Sequence, residues 1–116
     1  MIRLKRVYEP AASDDDARFL VERLWPRGIR KADLKMDAWV KDAAPSTELR
    51  QWFGHDPAKW DGFRRKYFAE LDGRADALDE IRRAAKKGDV TLLFSSHDAE
   101  HNNAVALKGY LEKKRK

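Results

Sequence analysis

The chain has 116 residues and a formal net charge of +5, with 25 lysines and arginines against 20 aspartates and glutamates, and it has no cysteine. This length favours one domain with a modest core, and the lack of cysteine excludes disulfides, thiolate metal sites and thiol nucleophiles. No apolar run approaches the roughly 18 residues of a membrane span, and the N-terminus lacks a signal-peptide core, so we expect a cytoplasmic protein without a membrane partner.

The first forty residues show the patterns of short strands. Residues 2–8 alternate apolar and basic side chains, which indicates a half-exposed strand. Residues 9–16 contain a proline and an acidic run, which favour a loop. Residues 18–24 predict a second strand that a proline and a glycine terminate, and residues 35–41 predict a third.

Helical patterns dominate the second half. A short helix is predicted over 48–53, after a capping segment at 45–47 and before Gly54. Asp56 and Pro57 begin a second helix, and a third is predicted over 76–87. The second helix carries an apolar stripe made of Trp60, Phe63, Tyr67 and Leu71.

A continuous apolar strand and a last helix complete the pattern. Residues 90–95 predict a strand buried on both faces, and Asp98 is expected to cap the helix that follows. Strands separated by helices predict a single α/β domain over 1–116, with a short, mainly parallel sheet flanked by helices.

Ligands bind beyond the carboxyl ends of parallel strands, so this fold predicts where a site lies. The polar or amphipathic residues beyond the three predicted strand ends are Arg23, Trp25, Arg27 and Lys31, then Ser46 and Arg50, then His97, Asp98, His101, Asn102 and Asn103. We expect them to converge on one concavity.

Arg23 and Arg27 flank one tight turn near two predicted helix starts, where two guanidiniums would form a cradle for phosphate or carboxylate. Alternatively, both arginines brace the fold by pairing with Glu22 or with the acidic residues 14–16. Trp25 could stack on a ring of the ligand or belong to the core.

His101 is expected in the first turn of the last helix, where the positive helix end favours a neutral imidazole able to accept or relay a proton. Asp98 either orients this ring or only caps the helix. Asn102 and Asn103 are poor helix formers, which indicates a local role.

Metal binding is not expected. Residues 97–101 match the H-x-x-E-H zinc pattern, but His97 would precede the helix and few residues follow His101. No motif for a nucleotide cofactor is present either, so no cofactor is predicted.

The positive charge is concentrated at the C-terminus. Residues 108–116 hold five basic side chains and one acidic one, and the rest of the chain is close to neutral. Such a tail either complements a helix end or attracts nucleic acid.

Three segments resemble the YeaO-like branch of the domain of unknown function 488 family. They are RFLVERLWPRG at 18–28, APSTELRQWFGHD at 44–56 and EHNNA at 100–104. The second segment contains His55, which joins the ligand-binding candidates. The resemblance implies an α/β fold and no particular reaction. The chain departs from the family pattern at Asp16, at Glu22, where Asp is usual, and at His97, where Arg or Lys is usual.

We therefore expect an anionic, phosphate-bearing, nucleotide-like ligand in a cleft at the strand ends, with His101 and Asp98 as candidates for proton transfer. The alternatives are a nucleic-acid-binding accessory protein that uses the arginine loops and the basic tail, and a module that docks a protein partner.

Overall fold

A parallel sheet forms the centre of the protein in the computed structural model, which describes residues 1–12 and 16–113. Within these residues the sheet has four strands in the order β1-β4-β2-β3, and every neighbouring pair is parallel. The strands are β1 (Ile2–Arg6), β2 (Ala17–Leu20), β3 (Ala38–Trp39) and β4 (Val90–Phe94). The predicted α/β class with a short parallel sheet is confirmed.

Strand β4 lies inside the sheet, between β1 and β2. Leu92 is paired with Leu4 of β1 and with Phe19 of β2, and every residue of β4 is buried. A strand with neighbours on both edges and cover on both faces needs apolar side chains throughout, which explains its unbroken apolar run.

Four helices in the described part cover one face of this sheet. They are α1 (Thr47–Phe53), α2 (Trp60–Asp72), α3 (Ala75–Lys87) and α4 (Asn103–Lys113). Their buried side chains pack with one face of β4, which includes Leu92. Leu93 points the other way, because side chains alternate along a strand. It packs with Trp25 and Leu34 from the segment between β2 and β3, and with Trp39 of β3.

The start of the last helix differs from the prediction. Helix α4 begins at Asn103, and its N-cap is Asn102, whose Oδ1 accepts a hydrogen bond from the Val105 amide at 3.0 Å. Asp98 instead closes a separate turn, since its Oδ1 accepts from the amides of Glu100 and His101. Asparagine is as good a cap as aspartate, so propensity alone did not distinguish the two positions.

The predicted strands are also shorter than expected. Strand β1 ends at Arg6, β2 ends at Leu20, and β3 consists of two residues at the edge of the sheet. Edge strands pair on one side only, so little backbone hydrogen bonding extends them.

Two features of the sequence lie outside the described residues. They are Asp14 and Asp15 of the acidic run and residues 114–116 of the basic tail. In the part of the chain that is described, no helix combines the length and apolar character needed to cross a membrane.

Candidate functional site

A cavity of about 130 Å³ opens at the carboxyl ends of β2 and β4. Segments that follow these strands form its walls together with α1 and the side of α2. Its lining residues are Glu22, Arg23, Ala44, Pro45, Arg50, Phe53, His55, Phe63, Ser95, Ser96, His101, Asn102 and Asn103. This position agrees with the rule that parallel sheets bind ligands beyond their carboxyl edge.

The cavity brings together part of the predicted set. The sequence candidates that line it are Arg23, Arg50, His55, His101, Asn102 and Asn103. Six other candidates are absent from its wall, namely Trp25, Arg27, Lys31, Ser46, His97 and Asp98. Asp98 still reaches the site indirectly, through its contact with His101.

Arg23 braces one wall of the cavity. Its guanidinium donates to the carbonyl oxygens of Ala44, at 3.1 Å, and Pro45, at 3.4 Å. It also lies 3.6 Å from the carboxylate of Asp42. Among the described residues, Glu22 is not one of its hydrogen-bond partners, while Asp14 and Asp15 of the acidic run lie outside the described residues. The donors of Arg23 are largely taken up by this loop.

The N-terminus of α1 already binds a carboxylate of the protein itself, that of Glu70. The Ser46 amide donates to one carboxylate oxygen of Glu70 at 2.9 Å, and the Ser46 hydroxyl donates to the other at 2.5 Å. The same hydroxyl caps the helix by accepting from the Leu49 amide. Glu70 therefore takes the place that an external phosphate would need at this helix start.

Trp25 and Arg27 lie away from the cavity. The Trp25 indole donates to the Ile29 carbonyl at 2.6 Å and packs edge-on against Trp39. Arg27 is exposed, and its carbonyl accepts from the Tyr8 hydroxyl. Trp25 is thus a core residue of the second face rather than a stacking platform in the cavity.

Arg50 and His55 both line the cavity. Arg50 is half-buried, and no described residue makes a hydrogen bond or ion pair with its guanidinium. His55 follows Gly54, and both have left-handed backbones, with φ of +58° and +53°. That conformation is uncommon for a residue with a side chain, and it places the imidazole 6.4 Å from the Phe53 ring.

The pairing of His101 with Asp98 orients an imidazole at the cavity wall. The ring Nδ1 lies 3.0 Å from Asp98 Oδ2, and the Trp60 indole packs edge-on against the ring. An ionised carboxylate only accepts hydrogen bonds, so Nδ1 carries the proton and donates to Asp98. The other ring nitrogen, Nε2, is then left for a ligand.

Asp98 is expected to support the folded state through its charged form. Hydrogen bonds from the Glu100 and His101 amides, together with the His101 ring, hold the pKa of this carboxyl below its usual value. A lowered folded-state pKa stabilises the protein above the unfolded pKa of about 4, and that stability is lost as the pH falls through the folded value. Melting temperatures of the wild type and Asp98→Asn, measured from pH 7 down to pH 2.5, should therefore converge at the acid end. A constant difference across this range would contradict the assignment.

Asn102 and Asn103 connect the site to the last helix and to the sheet through hydrogen bonds. Asn102 is buried, and its amide donates to the Asp98 carbonyl at 2.8 Å while its oxygen caps α4. The Asn103 amide donates to the Val21 carbonyl at 2.5 Å, just beyond β2. The two poor helix formers thus have the local roles that the sequence indicated.

Glu22 is the residue of the cavity that sequence analysis missed as a site residue. Burial raises the pKa of its carboxyl, while Ser95, Arg50 and Asn103 act in the opposite direction. The Ser95 amide donates to its Oε2 at 3.3 Å. The predicted strand over 18–24 included Glu22, and the earlier end of β2 at Leu20 places it beyond the carboxyl end of the strand.

The described residues contain no group of three or more His, Asp or Glu side chains arranged to hold a metal ion. The H-x-x-E-H pattern does not lie on one helical face. His97 is exposed, and its Nδ1 lies 3.4 Å from the Arg6 guanidinium.

Comparison with known proteins identifies relatives along the whole chain. The model of the family described as the inactive DUF488-N3 subclade, DUF488-N3i, matches residues 1–116. The chain is 44% identical to the uncharacterized protein YeaO of Escherichia coli over 110 residues, which cover 95% of this chain and 96% of the relative. It is 42% identical over 106 residues to the uncharacterized protein Rv3073c of Mycobacterium tuberculosis, covering 91% and 89% of the two chains. No solved structure matches.

Proposed function

Because the chain belongs to the DUF488-N3i family, the inactive DUF488-N3 subclade, we propose that its cavity binds an anionic, phosphate-bearing ligand of the nucleotide class without converting it. The observation that carries this proposal is Arg50, a half-buried arginine at the cavity wall with no hydrogen-bond partner among the described residues.

A guanidinium removed partly from water normally finds an acceptor, because an unpaired buried charge is costly. Arg23, by contrast, has carbonyl and carboxylate partners. Arginine forms short, bidentate hydrogen bonds with phosphate, and Arg50 retains all of its donors for such a group.

The two imidazoles extend this donor set. His55 and His101 both line the cavity, and His101 is held in one orientation by Asp98. In their cationic forms both rings donate from each nitrogen, so they would add hydrogen bonds to the remaining phosphate oxygens. In this proposal His101 is a binding group rather than a proton carrier.

The size of the cavity limits what enters it. A volume of about 130 Å³ is well below the roughly 300 Å³ or more of a typical pocket for a whole small molecule. It holds about as much as four water molecules, so a phosphate group with a few further atoms would fill it. The rest of a nucleotide would lie at the mouth, where Phe53 and His55 are available for contact.

The family description as inactive supports binding without turnover. The cytoplasm is the proposed location, since a chain without cysteine has no need of an oxidising compartment.

Arg50→Gln is the variant that tests the proposal. In the wild type, AMP at about 100 times its dissociation constant should add roughly 2.7 kcal/mol, which is a rise of about 10 °C in Tm for a chain of this size. The variant should lose about 1.5–3 kcal/mol of binding free energy, which weakens binding roughly 10- to 150-fold. Thermal shift titrations with AMP and with inorganic phosphate measure both quantities.

Arg83→Gln is the matched control, because Arg83 is exposed on α3 and absent from the cavity wall. It removes the same charge and should keep wild-type affinity. Equal weakening by both variants would indicate general charge attraction, and no shift of the wild type with either ligand would refute the proposal.

A further inference from the structure

Glu22 lines the cavity and its carboxylate is the acidic group there. The residue comes directly after Val21, which is fully buried, and its own carbonyl accepts from the Trp39 indole at 2.6 Å. The buried neighbour and the hydrogen bond both fix the backbone of Glu22, and this limits how far its side chain can move into solvent. Its carboxylate therefore faces any ligand that enters.

The described residues do not use all the hydrogen-bond acceptor positions of this carboxylate. The Ser95 amide donates a hydrogen bond to its Oε2 at 3.3 Å, and the side chains of Ser95 and Asn103 also lower the pKa of this carboxyl, against the effect of burial. An ionised carboxylate accepts about four hydrogen bonds, so at least one acceptor position is left over. None of the described cations lies within 4 Å of it as an ion pair, and Arg50 acts on it through its charge from a longer distance.

The charged and titratable groups around Glu22 come from several elements. Arg50 of α1 favours its ionised form, and Tyr67 of α2 lies close enough to be affected by its charge. Arg23 is adjacent in sequence, and His101 faces the same cavity from the segment before α4. The cavity lining thus combines the cationic donors Arg23 and Arg50 with Glu22, an acceptor that carries negative charge.

Such a site does not suit a bare anion. A phosphate oxygen against Glu22 would be repelled, since two like charges at short range in a partly buried site oppose each other strongly. A hydroxyl or amino group in the same place would donate a charge-assisted hydrogen bond.

We propose that Glu22 determines ligand specificity by requiring a hydroxyl or amino donor next to the phosphate, as in the sugar and polyol phosphates. This inference rests on the proposed function, because it concerns the same cavity. Arg50 and the imidazoles bind the phosphate, and Glu22 accepts from the neighbouring donor. A ligand with the same charge but without that donor leaves the acceptor unpaired and is bound more weakly.

The experiment compares glycerol 3-phosphate with methyl phosphate, which have similar charge and differ in their hydroxyl groups. Calorimetric titrations at pH 7.5 should give a wild-type preference of about 10-fold or more for glycerol 3-phosphate, as expected for a hydrogen bond to a charged group. Glu22→Gln should bind methyl phosphate more tightly than the wild type does, and its preference should fall below about 3-fold. Glu80→Gln removes the same charge from an exposed position on α3 and should retain the wild-type preference.

Each outcome decides a different point. Equal affinity of the wild type for the two phosphates overturns the role of Glu22 and leaves the proposed function standing. No binding of either phosphate overturns this inference, and the proposed function falls with it only if AMP and inorganic phosphate also fail to bind. Should Glu22→Gln fail to fold, Glu22→Asp replaces it, because a shorter side chain withdraws the carboxylate and should also reduce the preference. An unchanged preference in a folded variant overturns the inference.

Discussion

Replacing Tyr67 with alanine is expected to lower the free energy of unfolding by about 3–5 kcal/mol, the range for removal of a large buried aromatic side chain. Tyr67 is fully buried in α2 and packs against the Phe63 ring, with 5.5 Å between ring centroids. Its hydroxyl donates to the Ala43 carbonyl. Burial also raises the pKa of this phenol, so it stays protonated and able to donate.

The effect should extend to the cavity. Ala43 precedes Ala44 and Pro45, which form the cavity wall, and Arg74 donates to the Ala44 carbonyl at 2.6 Å. Loss of Tyr67 removes support from beneath this wall, so we expect weaker ligand binding in the fraction that remains folded.

Tyr67→Phe separates packing from hydrogen bonding. The phenylalanine ring retains the packing and leaves the Ala43 carbonyl without its donor, which costs about 1–3 kcal/mol. Chemical denaturation of the two variants measures both contributions. If Tyr67→Phe were as destabilising as Tyr67→Ala, the hydroxyl rather than the ring would be responsible for the effect.

Leu92→Ala is expected to be the second most destabilising change, near the upper end of the 2–5 kcal/mol range for leucine truncation in a core. Leu92 is fully buried in the central strand, on the face that the helices cover. Sheet and helices are rigid neighbours, so the cavity left behind should collapse little.

Leu93→Ala provides the comparison, because Leu93 is equally buried one residue further on. It packs on the opposite face against Val7, Leu20 and Leu34, and much of that cover comes from irregular chain. Such a segment can move inward to fill space, so the loss should be nearer 2–3 kcal/mol. Equal costs in denaturant titrations would show that the second face is as rigid as the first.

Local pattern was enough to predict most of the secondary structure. The apolar run at 90–95, the stripe of α2 and the caps at Ser46 and Asp56 depend on residues within a few positions of each other. The ends of the elements were less predictable. Asp98 and Asn102 are both good caps, and the choice between them came from the turn that Asp98 forms with Glu100 and His101.

The sequence by itself determined the fold class, the family resemblance and the edge of the sheet at which a cavity forms, because hydrophobic periodicity and the alternation of strands with helices depend on neighbouring residues. Only the tertiary structure decided which polar groups remain available there. Ser46 is occupied by Glu70, 24 residues away, and Arg23 by the carbonyls of the loop before α1, whereas Arg50 has no such partner among the described residues. Because these partners are distant in sequence, no local pattern shows which polar groups are hydrogen-bonded within the protein and which are available to a ligand.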